Sequence, residues 1–294
     1  MVRRSLPVLG ALVLVAGVIG YVVWQRPGPP PPQPVVPKEV VLQYADGSRL
    51  WSTTDGRPRG LVVKRVLEDL AAASLPLDSL VATGGVVRTT IDARAQSVAA
   101  AVLGRLVAPK RAYDPMNPDD RQDDKVDAAV TAIDPVSGGV RVYFPGFSWN
   151  HDLAGGVSKE PAPGLFEPLA LVQDRGKAPV TPLDVTAAYA TVAGGGVERK
   201  PHLITWVTAA DGSSRYRAAD AARPVVGPHV ADRITAALKE KPVCNGVACV
   251  SGVSPWMVGY TPQLAVSVYL EKAGANDADL PRVIWQEFLA ELAG

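Results

Sequence analysis

The sequence predicts an α+β domain in which an antiparallel sheet is covered by helices. Three observations carry that expectation. Alternating apolar and polar runs flank turn chemistry at Asp46-Gly47 and again over Asp134–Gly139, which is the pattern of β-hairpins. Helical periodicity occupies the middle of the chain, and a final group of short strands is followed by one more helical stretch. There is no repeat and no regular βα alternation, so hairpins and packed helices are expected rather than a parallel βαβ sheet. The 294 residues are 47% hydrophobic and 20% charged, enough for one sizeable core, and with aromatics at 6% that core must be built mainly from Val, Ala and Leu. A net charge of +1 offers no broad basic face, which argues against nucleic acid as a partner.

The elements follow in order. "KEVVLQYADGSRLW" predicts the first hairpin, and "RGLVVKRVLEDLAAASL" a helix closed by Pro76. "GGVVRTTIDARAQSVAAAVLGRLVAP" predicts a strand, a turn and a helix from about Arg94 to Val107, stopped by Pro109. "KRAYDPMNPDDRQDDK" is a polar insert expected on the surface, and its acidic run Asp119–Asp124 a solvated loop. "VDAAVTAIDPVSGGVRVYFPG" is the strongest hairpin signal in the chain. After a Gly- and Pro-rich loop, "TPLDVTAAYATVAGGG" predicts a helix ended by glycines. "LITWVTAADGSSRYR", "PWMVGYTP" and "QLAVSVYLEK" predict strands, with helices near 229–239 and 282–292.

Ahead of all this stands "MVRRSLPVLGALVLVAGVIGYVVWQRPGPPPPQP". Its uncharged apolar run, Ser5 to Trp24, spans about 20 residues, the length that crosses a hydrocarbon core as a helix. Tyr21 and Trp24 suit an interfacial belt, and Arg3 and Arg4 favour the cytoplasmic side, although Arg26 weakens the asymmetry. A cleaved signal peptide is the alternative, against which stand the length of the run and the lack of a small-x-small cleavage site. The expected organisation is a cytoplasmic tail (1–4), a transmembrane helix (5–24), a Pro-rich linker (25–38) with polyproline II character, and an extracytoplasmic domain (39–294). Such a short tail leaves no room for a signalling module, which speaks against a sensory ectodomain. Cys244 and Cys249, in "CNGVACV", lack the partners of a metal site and are expected to form a small disulfide loop in that compartment. His151, His202 and His229 have no metal-ligand spacing, so neither a metal nor a cofactor is expected.

Several stretches, in consistent order over about Val41 to Gly294, resemble the transpeptidase domain of penicillin-binding proteins, above all the bifunctional class and its actinobacterial members. "VVRTTIDARAQSVA" resembles the strand and helix that open that domain, and "AAVTAIDPVSGGVRVYFPG" its hairpin. "FSWNHDLAGGVSKEPAPGLFEPLAL" is similar to the segment in which an Asn-bearing loop leads into "PGSxFKP". "VTPLDVTAAYATVAGGGVERKPHLI" resembles the helix after the second motif, and "PWMVGYTPQLAVSVYLE" with "LPRVIWQEFLAELAG" the closing strands and helix. The glycosyltransferase half of the bifunctional class has no counterpart. The resemblance implies a β-lactamase/transpeptidase-like α+β fold and a role in peptidoglycan chemistry.

That chemistry depends on S-x-x-K, S-x-N and K-T-G: the serine attacks an acyl carbonyl, and the lysine one helical turn later takes or tunes its proton. Here "PGSxFKP" becomes "PGLFEP", one residue shorter; Leu165 or the missing position replaces the nucleophile, and Glu167 replaces the lysine. A carboxylate there reverses the charge met by the substrate's acyl group. Only about a dozen residues separate Pro168 from Thr181, where active members place a helical subdomain bearing S-x-N, so that subdomain is expected to be deleted. Where K-T-G should precede "WMVGYTP" the chain reads "VSGV": Val250, Ser251, Gly252, Val253. Ser148-Trp149-Asn150 fits S-x-N literally but precedes the first motif. Ser158-Lys159 could be a displaced nucleophile and base, yet adjacent residues do not share a helix face, and a solvated loop is the plainer reading. The implied protein is a membrane-anchored pseudo-transpeptidase that binds cell-wall synthesis proteins or peptidoglycan fragments. The competing reading is a working serine acyltransferase using relocated residues such as Ser158 or Ser251.

Overall fold

In the computed structural model the described residues are 37–111, 125–165, 178–240, 244 and 246–294. The expected tail, membrane span and most of the linker therefore lie outside the described residues, as do the acidic run Asp119–Asp124, Glu167 and the interval expected to have lost the helical subdomain. Among the described residues no helix is long and apolar enough to cross a membrane.

The strands are β1 (Val40–Gln43), β2 (Arg49–Ser52), β3 (Gly85–Thr89), β4 (Asp127–Ile133), β5 (Val140–Phe144), β6 (Val197–Arg199), β7 (Ile204–Ala209), β8 (Ser214–Arg217), β9 (Ala222–Pro224), β10 (Ala248–Val253), β11 (Trp256–Tyr260) and β12 (Ala265–Glu271). The helices are α1 (Leu61–Ala72), α2 (Leu77–Thr83), α3 (Ala93–Leu106), α4 (Pro182–Ala193), α5 (Pro228–Lys239) and α6 (Leu280–Ala293). They build two five-stranded sheets, ordered β2-β1-β3-β7-β8 and β10-β11-β12-β4-β5, with β6 and β9 as a separate ribbon. The single antiparallel sheet expected from sequence is thus two sheets, and the first contains one parallel pair, β1 with β3. The chain between them, α1 and α2, returns the strand to the same direction, a connection that hairpin spacing does not reveal.

Residues 37–294 form one compact unit. The second sheet is its centre. β4 is buried at all seven positions because it is flanked on both faces, which is why "DAAVTAI" lacks polar alternation. Ala128, Val130 and Ala132 point to one face and join Val266, Val268, Trp285 and Phe288 under α3 and α6. Ala129, Ile133, Val258 and Tyr269 point to the other and join the layer that contains α4 and the first sheet. β11 passes beneath α6 so closely that a Cβ on Gly259 would lie 2.5 Å from the Trp285 ring, which leaves room only for glycine.

Local chemistry sets the helix ends. Asp92 caps α3 by accepting from the Ala95 N–H at 2.8 Å. Thr181 and Asp184 form a capping box on α4, with Pro182 in its first turn. The helix expected to run to Pro76 instead ends at Ala72; Ser74 takes a positive φ of 63°, and Pro76 becomes the N-cap of α2, which the sequence reading missed. Between α4 and the second sheet, the buried hydroxyls of Thr131, Thr186 and Ser267 lie 2.5–2.9 Å from one another and within 2.8–3.2 Å of the Pro182 carbonyl oxygen, so they share their protons among themselves and that acceptor. Thr90 joins the two sheets by donating to the carbonyls of Val140 and His202 at 2.8 and 2.9 Å.

Candidate functional site

The segments that should carry the chemistry do come together. Pro163–Leu165 forms a 3-10 turn that packs beside β10, so the stretches expected to correspond to the first and third motifs are neighbours at a sheet edge. What they present is hydrocarbon. Leu165 is 0% exposed, its N–H donating to the Ala162 carbonyl at 2.9 Å, and Val250 is 2% exposed and paired with Val258 of β11. Both belong to the apolar layer on the α4 side of the sheet. Ser251 and Gly252 fall where the β10–β11 register breaks between Val250 and Val253, a local irregularity of the kind that re-aims a strand. A nucleophile must be reachable and must have a base within hydrogen-bond range; a fully buried leucine offers neither.

The relocated pair is separated by its surroundings. Ser158 is exposed. Lys159 is held by its backbone, which exchanges two 2.8 Å hydrogen bonds with Val180, and by its side chain, whose ammonium is hydrogen-bonded and ion-paired to the Glu271 carboxylate at the end of β12. The same ammonium lies 5.7 Å from the Tyr269 ring centre, and His151 Nε2 is 3.1 Å from the other Glu271 oxygen. Burial would raise the Glu271 pKa, but the Lys159 hydrogen bond and charge, with His151 beside them, outweigh it and hold the carboxyl below its usual range. Burial, with Glu271 adding to it, pushes Tyr269 up to about 12. Lys159 therefore serves as a counter-ion that ties the segment ahead of the Pro163–Leu165 turn to Val180 and to the end of β12. Sequence reasoning missed Glu271 and His151 as its partners, because 112 residues separate Lys159 from Glu271 and no local spacing marks the contact.

The loop after β5 is fixed just as firmly. The buried Asp127 accepts from the Phe147 N–H at 2.9 Å and from the Ser148 hydroxyl at 3.2 Å, so the serine of "SWN" is a loop anchor. The Tyr143 hydroxyl donates to Asp152 at 2.6 Å, and Asp152 in turn accepts from the N–H groups of Ala154 and Gly155. Burial first, then the Asp152 charge and hydrogen bond, raise the Tyr143 pKa, which keeps its proton in place. Cys244 and Cys249 form the expected disulfide, with Cα atoms 6.0 Å apart, and both lie buried at the start of β10. Among the described residues no group of three His, Cys, Asp or Glu side chains is arranged to hold a metal.

Two open grooves lie elsewhere, and none of the motif positions lines either of them. One, of about 840 Å³, runs between α4 and the β6–β9 ribbon; the other, of about 470 Å³, lies between α1 and the β7–β8 pair.

Two five-stranded sheets, the second lying between α3/α6 and α4, define the fold of a penicillin-binding-protein transpeptidase domain. Among solved structures the chain is similar to the PonA1 protein of Mycobacterium tuberculosis in complex with penicillin V, at 19% identity and a TM-score of 0.62, over 79% of this chain and 92% of that one. It is also similar to the D,D-transpeptidase domain of a peptidoglycan glycosyltransferase from Eggerthella lenta, at 13% identity and a TM-score of 0.61, over 87% and 98% of the two chains. PBPA from M. tuberculosis aligns at 14% identity and a TM-score of 0.60, over 88% of this chain and 100% of that one. No family model matches the sequence, and no curated protein matches it.

Proposed function

We propose that this chain is a membrane-anchored, catalytically silent transpeptidase homologue that acts in peptidoglycan assembly or its regulation by binding a protein or ligand. The observation that carries the reading is Leu165, the residue read as standing in for the nucleophile: in the turn beside β10 its side chain is wholly buried hydrocarbon. Val250 fills the facing strand in the same way, and Glu167 in sequence reverses the charge of the expected lysine. The relocated acyltransferase reading finds less support. Its base candidate, Lys159, is engaged by Glu271, and in an extended bridge the side chains of Ser158 and Lys159 point to opposite sides.

The membrane anchor rests on the apolar run Ser5–Trp24 ahead of a Pro-rich spacer, an arrangement that holds the domain in the compartment where peptidoglycan is built. Incubation of the full chain with a fluorescent penicillin, followed by denaturing electrophoresis, tests the silent cleft. No covalent band is expected at concentrations that label an active transpeptidase. A heat-stable adduct would overturn the reading, and mapping it to Ser158 or Ser251 would establish the alternative.

A further inference from the structure

The strand registers of the first sheet line up one side chain from each strand. Arg49 stands opposite Gln43, Gln43 beside Arg88, Arg88 opposite Trp206, and Trp206 opposite Arg217. Directly paired residues share a face. Leu42, Val87 and Val207, each one position away, point into the core, so the row lies on the sheet's outer face. None of its members is buried. Across the strands the order is cation, amide, cation, indole, cation. Arg49 is ion-paired to Asp55 and closes one end. Arg88 donates to the Ala45 carbonyl at 3.1 Å and lies 5.2 Å from the Trp206 ring centre. It has no ion pair among the described residues, and nearby Asp46 accepts instead from the Ser48 hydroxyl and N–H at 2.7 and 2.8 Å. Arg217 is exposed, with neither an ion pair nor a side-chain hydrogen bond among the described residues. Gln43 Oε1 and Arg88 Nε, on neighbouring members of the row, are shielded from water yet have no hydrogen-bond partner among the described residues. The fold thus leaves both charge and hydrogen-bonding capacity unused along this row.

Spacing selects the ligand. Neighbouring strands lie about 4.8 Å apart, so successive cations of the row stand about 10 Å apart with a neutral side chain midway between them. Each strand of a DNA duplex carries a charge about every 3.4 Å, which is far too dense for this pattern. An extended acidic peptide presents same-side carboxylates about 6.7 Å apart, again out of step. A linear polysaccharide of alternating acidic and neutral pyranose rings fits, because its charge recurs once per two rings and each ring advances the chain by about one strand spacing. Its rings also offer C–H faces to the electron-rich face of an indole and hydroxyls to an amide.

We propose that the outer face of the first sheet binds a linear acidic polysaccharide with a carboxylate on every second ring. The chain runs across the strands, its carboxylates on Arg88 and Arg217 and the neutral ring between them against Trp206. The row belongs to the first sheet, whereas Leu165 packs beside β10 of the second, so the proposal stands or falls independently of the silent cleft. The test uses the full chain in detergent micelles and three hexasaccharides labelled at the reducing end, read by fluorescence anisotropy: hyaluronan, with an acid on alternate rings; chitohexaose, with none; and hexagalacturonate, with one on every ring. Hyaluronan is expected to bind at least tenfold more tightly than chitohexaose and to weaken as salt is raised. Hexagalacturonate should bind no more tightly than hyaluronan, because its extra carboxylates meet Gln43 and Trp206 rather than cations. Arg217→Gln and Trp206→Thr should each lower hyaluronan affinity at least fivefold, while Arg233→Gln, exposed on α5, should change nothing. Since Arg217 is exposed, its replacement should leave the melting temperature unchanged, and if Trp206→Thr does not fold, Arg217→Gln alone decides. Equal binding of hyaluronan and chitohexaose, affinity that rises with the number of carboxylates, an unaltered affinity in Arg217→Gln, or no binding of hyaluronan at millimolar concentration would each overturn the proposal.

Discussion

Replacing Leu165 by alanine tests whether the Pro163–Leu165 turn is part of the core or an idle loop. The side chain is fully buried in the layer shared with Val250, Trp256 and Tyr260. Leu→Ala removes three carbons, each contributing about 0.8 kcal/mol of transfer free energy on burial, which sums to roughly 2.4 kcal/mol before any cavity is counted. Measured losses for such changes span about 2–5 kcal/mol, the low end applying where neighbours can close in. The low end is expected, because the turn holding Leu165 is a short 3-10 unit whose Leu165 N–H donates to the Ala162 carbonyl, and so short a segment can shift to close the space. For a domain of this size about 2.5 kcal/mol corresponds to a fall of roughly 5–10 °C in melting temperature. Thermal unfolding followed by near-ultraviolet circular dichroism reads it directly. Leu165→Met, which conserves volume, should cost less than about 1.5 kcal/mol. A Leu165→Ala protein that melts within 1 °C of the wild type would refute the argument, for it would mean that the turn contributes nothing to the core and that the cleft can open freely.

Two further perturbations probe what holds that region. Glu271→Gln leaves Lys159 without its counter-ion and should cost about 1.5–3 kcal/mol, the range for a hydrogen bond to a charged group. Because the Glu271 carboxyl is held below its ordinary range in the fold, its stabilisation is present above the unfolded-state pKa and is lost as pH falls through the folded one. Wild type and Glu271→Gln should therefore converge in urea midpoint on acidification below about pH 4, and a constant difference from pH 7 to pH 3 would contradict this. Thr186→Val removes the hydroxyl that links Thr131 and Ser267 while conserving shape, and should cost about 1–3 kcal/mol by leaving buried groups short of a partner. An unchanged unfolding free energy would show that Pro182 alone satisfies the other two.

The sequence by itself determined the local elements wherever short-range physics governs them. Asp46-Gly47 and Asp134–Gly139 turn hairpins because their side chains and glycines favour tight reversal, and Thr181, Pro182 and Asp184 start α4 because they satisfy its first amides. The order of segments resembling a transpeptidase domain was also legible, and the fold agrees with it. Ser74 and Pro76 were misread for the same local reason, since a proline both ends one helix and begins the next. Tertiary structure alone decided three things: that the strands divide into two sheets with one parallel pair, that Lys159 finds Glu271 and His151, and that Leu165 lies fully buried beside β10. Each depends on residues far apart in the chain meeting through packing, where free energy comes from burying apolar surface and pairing charge, and neither quantity has a signature in the spacing of neighbouring residues.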